Sequence, residues 1–497
     1  MPVHDLMCEG ESDASRAARM EASYRACVDM GMASHASSST LAHTSAGAHA
    51  PRIRVPLSLE PMHRPESARD TKRASRCRRT VHVALVAATL AAIGCSGARP
   101  SSANHARPYV IVVSLDAFRY DYLDRYHLPA LDTIAATGIR AEALLPPFPS
   151  KTFPSHYTIA TGLYPGHHGI IGNNFYDRAT DHWFRVKDTA AIRDGRWYGG
   201  VPIWVAAERE GVKSAVYFWP GSEADVKGVR PTYWKRYNAA VPDSQRVDES
   251  LAWLGRPAAE RPHLLLLYLS DVDDTTHRYG PDTPHTAVAA ALLQRALARL
   301  FAGLSAMPLR DSVDVVVVSD HGMADAPPSK MIPVQPLLVA AGIDPNAVTM
   351  GDNGPTMSLW FGGDTALETR TIAALEQTLT NARVYARGAT PPAWHLDGNP
   401  RGGDAIIVAE LGHVVVKSAN DRFADRGTHG WDPAYPEMHG IFLAAGPQVR
   451  PAGRIPAFEN VHVYPFLAAL LRLEHVPRTD GDARVLAPYL RTARDAR

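Results

Sequence analysis

Apolar positions along this chain come in two rhythms. Short unbroken apolar runs recur at 109–115, 214–219, 263–269, 313–318, 405–409 and 441–445, most of them closed by polar residues. Runs of that kind predict strands buried on both faces, as in a parallel sheet. Between them, 128–138, 204–211, 286–304 and 463–473 repeat apolar residues at helical spacing. Strand–helix alternation of this sort predicts an α/β fold, a three-layer sandwich around a largely parallel central sheet. No repeat of fixed period interrupts the pattern, and no Pro/Ser-rich stretch divides it, so 108–490 reads as one large domain.

The residues that close the strands carry the first chemical signal. The valine run 315–318 ends in Ser319-Asp320-His321-Gly322, and 109–115 ends at Asp116. The run 263–269 leads into Asp271-Val272-Asp273-Asp274-Thr275-Thr276-His277. Asp273 and His277 are one helical turn apart and can face one point, while spacing alone leaves Asp271 and Asp274 open as alternatives. His429 stands in the glycine-flanked segment Gly427-Thr428-His429-Gly430. Any one of these is an ordinary turn or helix cap. Together, at strand ends where α/β enzymes keep their ligands, they predict mixed oxygen and imidazole coordination without thiolates. That donor set suits Zn2+ in an open site.

Composition narrows the class. The 497 residues are 45% hydrophobic and 21% charged, with a net charge of +1. This fits a globular body and gives no sign of a nucleic-acid-binding or polybasic membrane surface. All four cysteines (Cys8, Cys27, Cys77, Cys95) precede residue 96, so the body has no disulfide, no CxxC site and no cysteine nucleophile. Residues 72–79 are basic, 81–93 are apolar but too short to span a bilayer, and Ala92-Ile93-Gly94-Cys95 resembles a bacterial lipobox. Ala stands where Leu is commoner, and an ordinary secretory signal cleaved nearby is the other reading. Both predict export to the periplasm or cell envelope, with membrane contact only through a lipid anchor at Cys95. Residues 1–95 therefore read as a targeting region, within which 1–61 is a mis-called extension before a true start at Met62. Residues 96–107 read as a tether.

A metal site needs a nucleophile, and Ser150, Thr152 and Ser155 lie in what reads as a loop entering a helix. A helix start offers free N–H groups to an anion, and a metal-bound hydroxyl ionises near neutral pH. Pattern alone does not choose among the three. The wider motifs do more. Lys151-Thr152-Phe153-Pro154-Ser155-His156-Tyr157 is followed by Thr161-Gly162-Leu163-Tyr164-Pro165-Gly166-His167-His168-Gly169. Further on come Phe218-Trp219-Pro220-Gly221-Ser222, Asp273 to Pro281, Ser319 to Met323, Asn399-Pro400-Arg401-Gly402-Gly403-Asp404 and His429-Gly430-Trp431-Asp432. In content and order these resemble the nucleotide pyrophosphatase/phosphodiesterase family of the alkaline phosphatase superfamily.

The resemblance implies a phosphodiesterase working through a phospho-threonine intermediate and releasing a nucleoside monophosphate. It implies Thr152 as nucleophile and two Zn2+, one held by Asp116, Thr152, Asp320 and His321, the other by Asp273, His277 and His429. Asn173 would donate to a non-bridging phosphate oxygen, and Phe153 and Tyr233 would wall a nucleobase. Ser155 and Thr276 depart from common family residues (Asn and Gly) without removing a ligand. Rival readings within the superfamily are a phosphomonoesterase, a phosphonate hydrolase and a choline-type lysophospholipase. A rival of another class is a lipoprotein that binds without catalysis. Sulfatase chemistry needs a Cys or Ser nucleophile in its own motif, which Thr152 does not supply. The sequence does not specify an oligomeric state.

Overall fold

The computed structural model describes residues 107–492 apart from 397, together with 21, 22 and 25. The targeting region at 1–95 and the tether at 96–107 lie outside the described residues, save those three and Arg107.

Two sheets carry the body. In chain order their strands are β1 (Tyr109–Leu115), β2 (Ile139–Ala141), β3 (Ser214–Tyr217), β4 (Tyr233–Lys235), β5 (Leu264–Leu269), β6 (Val313–Val318), β7 (Thr349–Met350), β8 (Thr356–Trp360), β9 (Ala382–Ala386), β10 (Ala405–Ala409), β11 (Phe442–Ala445) and β12 (Gly453–Ile455). The eight-stranded sheet runs β12-β2-β11-β6-β1-β5-β3-β4. From β6 to β4 all pairings are parallel, and β11 pairs antiparallel with both β6 and β2. The largely parallel sheet expected from the valine and leucine runs is there, with β1 near its centre.

The longer helices, again in chain order, are α1 (Pro129–Thr137), α2 (Thr152–Thr161), α3 (Ile203–Arg209), α4 (Asp243–Leu254), α5 (Asp271–Tyr279), α6 (Pro284–Ala306), α7 (Val334–Ala340), α8 (Thr365–Thr378) and α9 (Val463–Leu470). Side chains alternate across β1. Val110 and Val112 join a core with Tyr157 of α2, Trp204 of α3 and Leu467 of α9. Ile111 and Val113 join another with Leu131 of α1, Val247 of α4 and Leu297 of α6. Both faces are thus covered by helices, which makes the three layers and explains why the strands read as unbroken apolar runs. Among the described residues, α6 is the one helix long and apolar enough to cross a membrane. Its Ala289, Leu293, Leu297 and Leu300 are spent on that core instead.

The second sheet, β7-β8-β10-β9, is antiparallel throughout. It has its own core, in which Met357, Leu359 and Ile407 meet Leu338 of α7 and Leu375 of α8. The strand expected at 405–409 belongs here rather than to the central sheet. Helix α8 starts where the Asp364 carboxylate accepts the Leu367 N–H at 2.9 Å, a side-chain cap for one of the four orphan donors.

Candidate functional site: two carboxylate–imidazole clusters beside Thr152

Register brings the ligand residues together. Ser114 is level with Tyr268 on one side and Val318 on the other. The chain therefore leaves β1, β5 and β6 at one edge, where Asp116, the start of α5, and Asp320-His321 follow. Ala117 turns away at φ +53°, a left-handed conformation uncommon for a residue with a Cβ. The turn is held by cross-loop bonds. Ala117 N–H donates to Asp320 Oδ1 (3.3 Å) and Phe118 N–H to Ser319 Oγ (3.0 Å), whose hydroxyl donates to the His321 carbonyl (2.6 Å).

Two groups of potential ligand atoms result, Asp116/Asp320/His321 and Asp273/His277/His429, each within 4.8 Å. Neither Asp271 nor Asp274 takes part in a group, because α5 aims Asp273 and His277 together, one turn apart. The imidazoles are all oriented alike. Nδ1 of His321 lies 2.9 Å from Gly322 O, Nδ1 of His277 2.9 Å from Gly427 O, and Nδ1 of His429 2.9 Å from Ser150 O. A carbonyl only accepts, so each Nδ1 carries a proton, and each ring in its neutral form presents a bare Nε2. Those bare nitrogens face carboxylate oxygens: His321 Nε2 is 3.0 Å from Asp320 Oδ2 and 3.4 Å from Asp116 Oδ1, and His277 Nε2 is 3.3 Å from Asp273 Oδ1. All three oxygens are buried without a hydrogen bond of good geometry, although His156 Nδ1 also lies 3.1 Å from Asp320 Oδ2. Lone pairs converging on lone pairs, buried, is an arrangement that a divalent cation satisfies.

Burial, with the Asp320 and Asp273 charges close by, pushes the Asp116 carboxyl well above the usual range. Burial also acts to raise Asp320, yet the imidazoles of His321 and His156 hold it well below. Burial acts the same way on Asp273, where the neighbouring His277 prevails and sets it at about 2. Burial lowers His429 far below its ordinary value, with His321 and His277 adding to the effect, and this keeps the ring neutral. The His321 and His429 rings stack at 3.5 Å, so the two clusters adjoin.

The hydroxyl candidates now separate. Ser150 Oγ donates to the Trp431 carbonyl at 2.7 Å, and Ser155 Oγ is buried inside α2 without a partner. Thr152, first residue of α2, holds its hydroxyl 3.2 Å from His321 Nε2. Asn173 Oδ1 accepts the Phe153 N–H at 3.0 Å, which leaves its NH2 as the free donor end. Phe153 follows the nucleophile candidate, its ring edge-on to Phe184 at 5.8 Å. A cleft of about 200 Å3 is lined by Lys151, Asn173, His277, Asp352, Asn353 and His429.

Tyr233 is elsewhere. It lies in β4 level with Ala215, hence with Leu265 and Ile111, most of a strand before Asp116. Its hydroxyl donates to Glu260 O (2.9 Å), and its ring lies between Trp253 and Arg256. Tyr237, four residues on and 45% exposed, lies past the end of β4, edge-on to Phe218 at 5.2 Å and to Tyr268 at 6.4 Å. Pattern gave no way to tell the two tyrosines apart; the signal was the end of the strand between them. The 399–404 motif is a staple. Arg401 donates to Asp177 (3.0 Å), Gly169 O (3.0 Å) and Trp197 O (2.9 Å), holding the segment that carries Asn173.

Comparison with known proteins agrees with this geometry. The sequence model described as type I phosphodiesterase / nucleotide pyrophosphatase matches residues 110–432. Venom phosphodiesterase 2 of Crotalus adamanteus is 33% identical over 388 residues, 77% of this chain and 47% of the venom protein. An uncharacterized pyrophosphatase/phosphodiesterase of Schizosaccharomyces pombe is 34% identical over 383 residues, 74% of this chain and 78% of the yeast protein. The chain thus spans about half the length of the venom relative. Human ectonucleotide pyrophosphatase/phosphodiesterase 5 superposes with a TM-score of 0.72 at 29% identity, covering 77% of this chain and 100% of that one. Its murine counterpart, solved as an inactive threonine-to-alanine variant in complex with AMP, gives 0.72 at 30%. With that match in sequence and fold, on a sheet whose edge gathers two carboxylate–imidazole clusters beside a threonine, the chain belongs to the type I phosphodiesterase/nucleotide pyrophosphatase family.

Proposed function

We propose that the protein hydrolyses phosphodiester or pyrophosphate bonds of nucleotides, with Thr152 as nucleophile, and releases a nucleoside monophosphate. The observation that carries this reading is the Thr152 hydroxyl, 3.2 Å from a bare imidazole nitrogen of the buried cluster. Asp116, Asp320, His321 and Thr152 would hold one Zn2+ and Asp273, His277 and His429 a second; bound there, the cations supply a lowered hydroxyl pKa and positive charge for the phosphoryl and leaving oxygens. Thr152 Oγ1, its proton passed to solvent, attacks phosphorus in line as the bond to the leaving oxygen breaks, and the departing oxygen leaves as an anion that takes up a proton from water. Water then cleaves the phospho-threonine, restores the hydroxyl and frees the monophosphate. The Asn173 NH2, oriented because Oδ1 of the same amide accepts the Phe153 N–H, donates to a phosphoryl oxygen. A neutral donor suits a diester, which carries less charge than a monoester. Phe153 and Tyr237 would hold the base.

The reading also takes the enzyme outside the cytoplasm, on the basic and apolar stretches at 72–93 and Cys95. Fatty-acid labelling that is lost in Cys95→Ala is the expected result; no label on the wild type would leave an ordinary secretory signal.

The test compares rates on an aryl nucleotide diester, an aryl phosphate monoester and a glycerophosphodiester, for wild type and Thr152→Ala. The nucleotide diester should be fastest, and Thr152→Ala should lose turnover while keeping most of its zinc. Turnover surviving in Thr152→Ala overturns the nucleophile, and preference for either other substrate overturns the substrate class.

A further inference from the structure

Within the buried cluster the ligands are not oriented alike. His321 is fixed by a backbone carbonyl, Gly322 O, and Asp320 by Ala117 N–H at Oδ1 and by the His156 ring, whose Nδ1 lies 3.1 Å from Oδ2. Asp116 is fixed by a side chain: its Oδ2 accepts the hydroxyl of Tyr268, while its Oδ1 has no hydrogen-bond partner and faces His321 Nε2. The Asp116 side chain is only 1% exposed, so no water competes for either oxygen.

The tyrosine is itself held. Tyr268 is the penultimate residue of β5, level with Ser114. Its carbonyl accepts Arg246 Nη1 at 3.1 Å, and the same nitrogen donates to Ser270 Oγ at 3.2 Å. Arg246 is fully buried on α4, beside Asp243 at 3.3 Å, with its guanidinium near the faces of Phe218 (5.1 Å) and Tyr268 (5.9 Å). Burying a guanidinium is costly unless its geometry is constrained. Here the constraint falls on the strand end that carries the phenol.

The geometry points to Tyr268 as a positioning residue that orients the Asp116 carboxylate so that Oδ1 alone is offered to a divalent cation. The inference rests on the reading of Asp116 as a metal ligand. A phenol on Oδ2 blocks rotation of the carboxylate and keeps it from binding through both oxygens. Partners of this kind typically alter metal affinity about ten- to a hundredfold. Because the phenol is not itself a ligand, a single substitution removes this hold on Asp116 while sparing every ligand.

The experiment is a zinc titration of metal-free protein by calorimetry, with Co2+ absorption spectra as a second readout, on wild type, Tyr268→Phe and Asp116→Asn. Tyr268→Phe should weaken one of two equivalents about tenfold or more, leave the other unchanged, and alter the visible cobalt bands of the weakened site. Asp116→Asn should lose that same equivalent. Restoring a donor with p-aminophenylalanine at position 268 should restore affinity, and this variant carries the test if the Phe protein folds poorly. Melting of the metal-free proteins separates simple destabilisation, which lowers the melting temperature without changing the ratio of the two affinities. Wild-type affinities and spectra in Tyr268→Phe, with one equivalent lost in Asp116→Asn, overturn the role of Tyr268. Two intact equivalents in Asp116→Asn overturn the ligand reading itself.

Discussion

The two clusters are built from the same residue types but from different kinds of backbone. Asp116, Asp320 and His321 sit on the ends of adjacent strands, and none is more than 1% exposed. Asp273 and His277 sit on a helix, and His429 comes from a loop; the Asp273 and His277 side chains are 14% and 24% exposed, and His277 and His429 line the cleft. Strand ends in a sheet covered on both faces do not move independently. A helix start and a loop can. The rigid cluster is the one that touches Thr152, and the open one faces the cleft where a leaving group would depart. The difference teaches a division of labour: fixed geometry where a bond must be made in line, accessibility where a product must leave and water enter.

Substitution of one imidazole in each cluster is the harshest test of that division. His321→Ala should lower kcat by roughly 10^4-fold, the scale of losing a member of a catalytic unit, because Thr152 loses its neighbour. His277→Ala should cost less, and its loss should be smallest for substrates with good leaving groups such as aryl oxides. Assays across leaving groups of different pKa read this directly; equal losses, independent of leaving group, would erase the distinction.

Metal removal comes next in size. Without a cation the Asp116, Asp320 and Asp273 charges repel, and the native state has nothing to gain from zinc by mass action. A thousandfold excess of free zinc over its dissociation constant stabilises by about 4 kcal/mol per site. The rigid cluster should give the larger share. Thermal melts with and without chelator, on wild type and Asp320→Asn, measure that share; an unchanged zinc response in Asp320→Asn breaks the comparison.

The same contrast explains what the sequence could show. The buried cluster was legible because β1 and β6 are apolar on both faces, so the first polar residues past Leu115 and Val318 mark the sheet edge. The cluster on α5 was legible only as far as a helical turn, with Asp271 and Asp274 left open. The place of Tyr233 along its strand was not legible, because aromatic residues pack equally well at either end of a short edge strand, and its pairing with Ala215 sets the end at which it lies. The second sheet was legible at β10, where 405–409 is an apolar run buried along its length. β7 is two residues long and β9 mixes buried with exposed positions, which leaves no apolar run to read. Asp352 and Asn353, which line the cleft, come from its β7–β8 connection. Substitution separates the tyrosines. Tyr237→Ala should raise KM for a nucleotide about tenfold, as loss of one base stack costs about 1–3 kcal/mol, while Tyr233→Ala should leave KM alone and lower stability.

The smallest effect concerns protons, and it follows from which group in each cluster has its pKa raised. In the open cluster it is His277, lifted well above its ordinary value of 6.5 because the Asp273 and Asp425 carboxylates outweigh burial. A raised histidine stabilises the metal-free fold fully below pH 6.5, and that contribution is lost as pH climbs through the folded value. Zinc binds only the neutral ring, so below the folded value its affinity at this cluster falls by at most about tenfold per pH unit, and near neutral pH each zinc expels an imidazole proton. In the buried cluster the raised group is Asp116, whose proton is a carboxyl proton. Calorimetry in buffers of different ionisation enthalpy counts the protons released, and His277→Gln should remove those of the open cluster alone. Identical proton release in wild type and His277→Gln would mean that the clusters do not differ in the group that gives up its proton, and accessibility alone would then distinguish them.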